Sequence, residues 1–167
     1  MPLAAGGVNV NRFTPEFEKT FFGDMMSIEM RFPFAATLDS SITSDGVTNT
    51  DELECGNVTV ALKALLYSDR GLTISAGLAV DLPTADDVNV NTASGVKLIE
   101  VKNDAIHLLP FIGALFVPDD RFFSQGFIQA DFDTNGNNVL ITDGTQLRRA
   151  GTANDSTFLF FDVGIGY

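Results

Sequence analysis

His107 and Asp131 are the pair in this chain best suited to proton chemistry, because a carboxylate beside an imidazole orients the ring and favours its charged form. No Gly-x-Ser-x-Gly elbow or other nucleophile motif accompanies them, so the sequence predicts an ion pair and no enzymatic reaction. Asp131, Asp133 and Asn135, followed by Gly136, have the D-x-D-x-N-G spacing in which oxygens converge on a calcium ion. An EF-hand loop would next place a bidentate Glu where Thr142 stands, and the competing reading is a strand running into an Asn-Gly turn. Calcium at 131, 133 and 135 is the one cofactor suggested, and no other is expected. Cys55 is the only cysteine and His107 the only histidine, which excludes an intrachain disulfide and a Cys/His zinc cluster. Glu29, Arg31, Lys63, Asp81, Gln125, Gln129 and Asp162 form no catalytic grouping. With His107 and Asp131 they are candidates to line a lumen, either tuning ion selectivity or holding the wall together.

The elements that would carry these residues are strands. The 167 residues, 45% of them hydrophobic, suffice for one domain and are too few for two ordinary ones. A net charge of -12 argues against nucleic acid as a partner. No stretch approaches the roughly 18–20 apolar residues of a spanning helix, and the first residues carry no basic and apolar leader pattern. Apolar segments of about a dozen residues alternate with stretches rich in Thr, Ser, Asn, Asp and Gly. Met26, Ile28, Met30, Phe32 and Phe34 alternate with Ser27, Glu29, Arg31 and Pro33; Val58, Val60, Leu62, Ala64 and Leu66 alternate with Thr59 and Lys63; Leu72 to Leu82 repeats the pattern opposite Asp81. Each segment has one apolar and one polar face.

Facing residues of an antiparallel hairpin point to the same side, so matching apolar sets fix the parity of the register. Asp69-Arg70-Gly71 satisfies it as a three-residue loop, pairing Leu66 with Ile74, Leu62 with Leu78, Val58 with Leu82 and Thr59 with Asp81. Pro118-Asp119-Asp120 does the same for a second hairpin, setting His107 opposite Asp131 and Gly113 opposite Gln125. A last strand from Phe158 to Tyr167 puts Leu159, Phe161, Val163 and Ile165 opposite Asp162. Tight turns thus fall at one end of the strands. Long polar loops, about 36–56, 84–103 and 133–156, fall at the other. The loop at 36–56 carries Asp39, Asp45, Asp51, Glu52 and Glu54 with no Lys or Arg, an acidic surface that would concentrate cations or simply stay solvated.

Stretches such as Gly56-Asn-Val-Thr-Val-Ala-Leu-Lys-Ala-Leu-Leu-Tyr-Ser-Asp-Arg-Gly71, the Leu82-Pro83-Thr84 exit and His107-Leu-Leu-Pro-Phe-Ile-Gly-Ala-Leu-Phe116 resemble a porin-like outer-membrane β-barrel protein of the Gram-negative type. The resemblance covers about residues 21–167. It implies an all-β protein whose fold is an antiparallel up-and-down transmembrane β-barrel, located in the cell outer membrane, with the lipid bilayer as partner and small solutes or ions passing a polar lumen. Residues 1–20 would be an N-terminal segment, disordered or an extra strand. Two features depart from the pattern. Aromatic girdles would have to be built from the 15 Phe, with Phe116 and Phe122 at the turn end and Phe34 and Phe132 at the loop end, because there is no Trp and only two Tyr. Six to eight strands are visible against a minimum of eight, which predicts either a piece of a longer barrel or a small closed one. The same alternation also suits a soluble β-sandwich or lipocalin-like barrel binding a ligand, with the faces exchanged.

Overall fold

The computed structural model describes residues 12–35, 41–43 and 53–167, and the alternating segments do form strands. In chain order these are β1 (Arg12–Phe13), β2 (Glu16–Phe21), β3 (Met26–Arg31), β4 (Phe34–Ala35), β5 (Ser41–Thr43), β6 (Glu54–Cys55), β7 (Val58–Asp69) and β8 (Leu72–Leu82). They continue as β9 (Val88–Asn91), β10 (Lys97–Val101), β11 (His107–Phe116), β12 (Phe123–Asp133), β13 (Asn137–Thr142), β14 (Leu147–Ala153) and β15 (Phe158–Gly166). No helix occurs among the described residues. Residues 1–11, together with Asp39, Asp45, Asp51 and Glu52 of the acidic loop, lie outside them, and β2 straddles the end of the N-terminal segment.

Seven strands form one antiparallel sheet in the order β2-β3-β7-β8-β11-β12-β15, an up-and-down meander that follows the chain. Its neighbours at the turn end are joined tightly and at the loop end by long excursions. The excursions are not bare loops. β5, β9, β10, β13 and β14, drawn from all three, build a second sheet in the order β14-β13-β10-β9-β5, while β1, β4 and β6 form a third. β5 pairs with β9 in parallel and the other pairs of the second sheet are antiparallel. We call the seven-stranded sheet the wall and the five-stranded one the cap.

Among the described residues the wall is open, which corrects one of the two expectations, that of a small closed barrel. β2 and β15 are its two edges, and as first and seventh strands of an alternating meander they run the same way. Joining them directly would require a parallel pair, the one pairing this meander nowhere uses.

The first hairpin follows the expected register from Val58 with Leu82 to Leu62 with Leu78, including Thr59 with Asp81. Nearer the turn the pairing slips by one, so Tyr67 rather than Leu66 faces Ile74. A bulge at Leu66 takes up the odd residue, and the turn is the two-residue Arg70-Gly71, with φ of 50° and 79° as a type I′ hairpin requires. At Gly71 a side chain would also collide with the Val117 carbonyl, 2.1 Å from where its Cβ would lie, because the two turns are stitched by Val117 N–H donating to Gly71 O.

The second hairpin is displaced by two residues from the expected register. His107 pairs with Asp133 and Gly113 with Phe127, and Phe116 faces Ser124 instead of Phe122. The turn holds six residues, 117–122, because Asp119 Oδ1 accepts the N–H groups of Arg121 (2.9 Å) and Phe122 (3.0 Å) and draws them out of the ladder. The expected Phe116–Phe122 girdle pair is therefore not formed as a cross-strand pair. A shift of two leaves every side chain on its original face.

Candidate functional site

All nine lumen candidates share one face of the wall. Across its loop end the ladder aligns Glu16, Arg31, Thr59, Asp81, His107 and Asp133 into one polar rung spanning six strands. Farther in, Glu18 faces Glu29, Ser27 faces Lys63, and Gln129 pairs with Phe160. Gln125 and Asp162 lie nearer the turns and line a shallow cleft of about 400 Å³ with Thr73 and Ser75.

Over β3, β7 and β8 this polar face is the sheltered one, while toward β11, β12 and β15 it also carries exposed Leu115, Phe123, Phe127, Phe158 and Phe160. Glu29 is 3% exposed, Ser27 7%, Ala61 3% and Ala79 5%, whereas Ile28, Leu62, Leu78, Ile112 and Ile128 on the other face are 43–47% exposed. A buried carboxylate is tolerated only when its lone pairs are matched. Glu29 is bracketed by Arg31 Nε and Lys63 Nζ, while Glu16 reaches Arg31 Nε at 3.2 Å and Glu18 reaches Lys63 Nζ at 3.2 Å. Ser27 Oγ donates to Glu18 at 2.5 Å. The result is a zipper of alternating charge across β2, β3 and β7. Glu16 and Glu18 escaped the sequence reading because Lys19 falls on the apolar side of β2 and spoils its alternation.

His107 does meet Asp131, by a diagonal contact rather than a direct pair. Its Nδ1 donates to Asp131 Oδ1 at 2.7 Å, and Nε2 lies 3.4 Å from Asp155 Oδ2 in the connection before β15. No hydroxyl or thiol is placed as a nucleophile beside the ring among the contacts described.

Asp131, Asp133 and Asn135 do not turn their oxygens to one point. Asp133 Oδ1 accepts the N–H groups of Asn135 and Gly136, its Oδ2 accepts that of Asp155, and Asn135 Oδ1 accepts from Ile106 N–H and Thr134 Oγ1. The segment is built as a turn, and no group of three or more His, Cys, Asp and Glu suited to a metal occurs among the described residues. Cys55 is exposed and free.

Asparagines weld the excursions where they leave the wall. Asn103 Nδ2 donates to Asn57 Oδ1 at 2.7 Å, Asn137 Oδ1 takes the N–H groups of Asp104 and Ala105 at 2.9 Å, and Asn135 Nδ2 donates to Asp104 O at 2.8 Å. An amide side chain carries both a donor and an acceptor, so it can stand in for a missing strand neighbour. In the cap above, Lys102 binds Asp87 at 2.6 Å and Lys97 binds Glu100 at 2.5 Å. The Lys102 hydrogen bond holds the Asp87 carboxyl below its ordinary range, and that of Lys97 does the same for Glu100, in each case against a smaller opposing effect of burial.

Between the wall and the small third sheet lies a cleft of about 470 Å³, bordered by Arg12, Arg31, Asp81 and Gln129, with Phe34 and Leu109 as apolar walls. Sequence spacing gave no sign of Arg12 there, since β1 and β4 bring it in from outside the wall. Comparison with family models, with curated proteins and with solved structures finds no match to this chain.

Proposed function

We propose that this chain is the wall of an outer-membrane β-barrel, a passive porin-like channel or structural membrane protein whose polar face borders the lumen and whose capped loop end is extracellular. One observation carries the reading: the wall is inverted relative to a water-soluble sheet. Its apolar face, from Ile28 through Leu62, Leu78, Ile112 and Ile128 to Phe161 and Val163, stands open, while Glu29 and Ser27 are sheltered. Burying one such aliphatic side chain is worth about 1.5–3 kcal/mol. Leaving the whole face in water forfeits that repeatedly and exceeds the few hundred Å² of apolar patch tolerated by soluble monomers. Hydrocarbon removes the conflict. The strands that would cross, β7, β8, β11 and β12, have 10 to 12 residues, as a tilted span needs.

A soluble lipocalin-like barrel would instead turn the apolar face inward. Expression of the protein followed by cell fractionation separates the two. Recovery with outer membranes, together with a gel mobility that changes on heating after detergent extraction, is the expected result. A monodisperse protein in buffer without detergent would overturn the reading.

A further inference from the structure

Most charged groups of the polar face spend their hydrogen-bonding capacity on one another, but the cleft beneath the third sheet does not follow that rule. Arg12 and Gln129 border it and make no side-chain hydrogen bond or ion pair with another described residue. Toward the described residues Asp81 commits only Oδ1, to Thr59 Oγ1, and Arg31 commits only Nε, to Glu16 and Glu29. Among the described residues, Asp81 Oδ2, both Nη groups of Arg31, the Arg12 guanidinium and the Gln129 amide are therefore uncommitted at one cleft. Cationic donors and an anionic acceptor are separated in a definite direction. Arg31 and Asp81 lie on either side of Thr59 in the same rung, so their backbones are about 10 Å apart by two strand spacings. That gap admits a solute between them. Phe34 and Leu109 supply an apolar flank, and about 470 Å³ falls in the size range of small-molecule sites.

We propose that this cleft binds a small zwitterion with an apolar body: a carboxylate held by Arg12 and Arg31, an ammonium held by Asp81, and a hydrocarbon part against Phe34 and Leu109. Arg engages a carboxylate through a planar fork of donors, and an ammonium presents donors only, as an Asp oxygen requires. The site stands whether or not the apolar face of the wall meets lipid, so its test is separate from cell fractionation.

The test is calorimetric titration of the full chain in dodecyl maltoside micelles with three probes: L-phenylalanine, hydrocinnamate, which keeps only the acid, and phenethylamine, which keeps only the amine. L-phenylalanine is expected to saturate one site, with each single-charge probe weaker by about tenfold or more, the loss of one charge-assisted contact. Arg12→Gln is expected to weaken L-phenylalanine by a similar factor, with Arg121→Gln, a cation of the 117–122 turn, leaving binding unchanged. Should Arg12→Gln fail to fold, the three-probe comparison on the unsubstituted chain still decides. Absence of saturable L-phenylalanine binding, or a single-charge probe binding as tightly, would overturn the proposal, as would a folded Arg12→Gln variant that binds normally.

Discussion

The wall and the cap are both antiparallel in the main and both carry a sheltered glutamate held by two cations, yet they distribute apolar surface differently. In the wall, Glu29 is sheltered and Leu62, Leu78 and Ile112 are open. In the cap Glu100 is sheltered as well, at 6%, and the exposed large apolar residues of its strands, Val88 and Ile141, are scattered singly. Scattered apolar residues are ordinary on a wet surface, whereas a continuous open apolar face is not. The difference is one of patterning: the wall gathers its exposed apolar residues on one face and the cap scatters them, with the asparagine welds at the junction.

Charging the apolar face should produce the largest effect. Ile112→Arg, near the middle of β11, is expected to cost about 2–4 kcal/mol of folding free energy in vesicles, as cationic substitutions at mid-depth of a barrel do. Thr145→Arg in the turn between β13 and β14 should change little. Denaturant titration of vesicle-folded protein measures both, and equal costs would erase the distinction between wall and cap. Next comes the pair of glutamates. Glu29→Gln leaves Lys63 and Arg31 beside a neutral group in a sheltered setting and is expected to cost about 3 kcal/mol, as breaking a buried pair does. Glu100→Gln should cost somewhat less, because Lys97 and Lys102, 46% and 37% exposed, are better solvated than Lys63, 29% exposed. The same titration would expose a reversed order.

A smaller effect probes the cap by pH. Asp87 and Glu100 are held below their ordinary range in the folded cap, so their stabilisation is fully present above the unfolded carboxylate values near 4 and is lost as pH falls through the lowered ones. Hydrogen exchange should therefore lose protection in β9 and β10 as pH falls through that range. Protection of β9 and β10 that stays unchanged there would break the assignment.

The long strands were legible because their alternation runs for ten residues or more, and because a glycine follows Arg70 where a left-handed turn needs one. The second hairpin was misread by two residues, since parity fixes the face and cannot detect an even shift, and the Asp119 side chain that lengthens the turn acts on its neighbours rather than on the hydrophobic pattern. The cap strands left almost no trace. β9 is only four residues long, and β14 reads Leu-Arg-Arg-Ala-Gly-Thr-Ala, without an apolar face. His107 and Asp131 were paired from an incorrect register and still meet, because an aspartate two places along reaches the ring diagonally. Arg12 could not be foreseen at the cleft, since only the pairing of β1 with β4 carries it there.

The central claim is that the face bearing Leu62, Ile112 and Ile128 meets hydrocarbon while the face bearing Ser75 and Gln125 meets water. Single cysteines introduced as Leu62→Cys, Ile112→Cys, Ile128→Cys, Ser75→Cys and Gln125→Cys on a Cys55→Ser background, treated in intact membranes with a charged maleimide, test it directly. Labelling is expected at 75 and 125, with protection at 62, 112 and 128 until the protein is denatured. Labelling of 62, 112 and 128 in the native state as fast as 75 and 125 would contradict it.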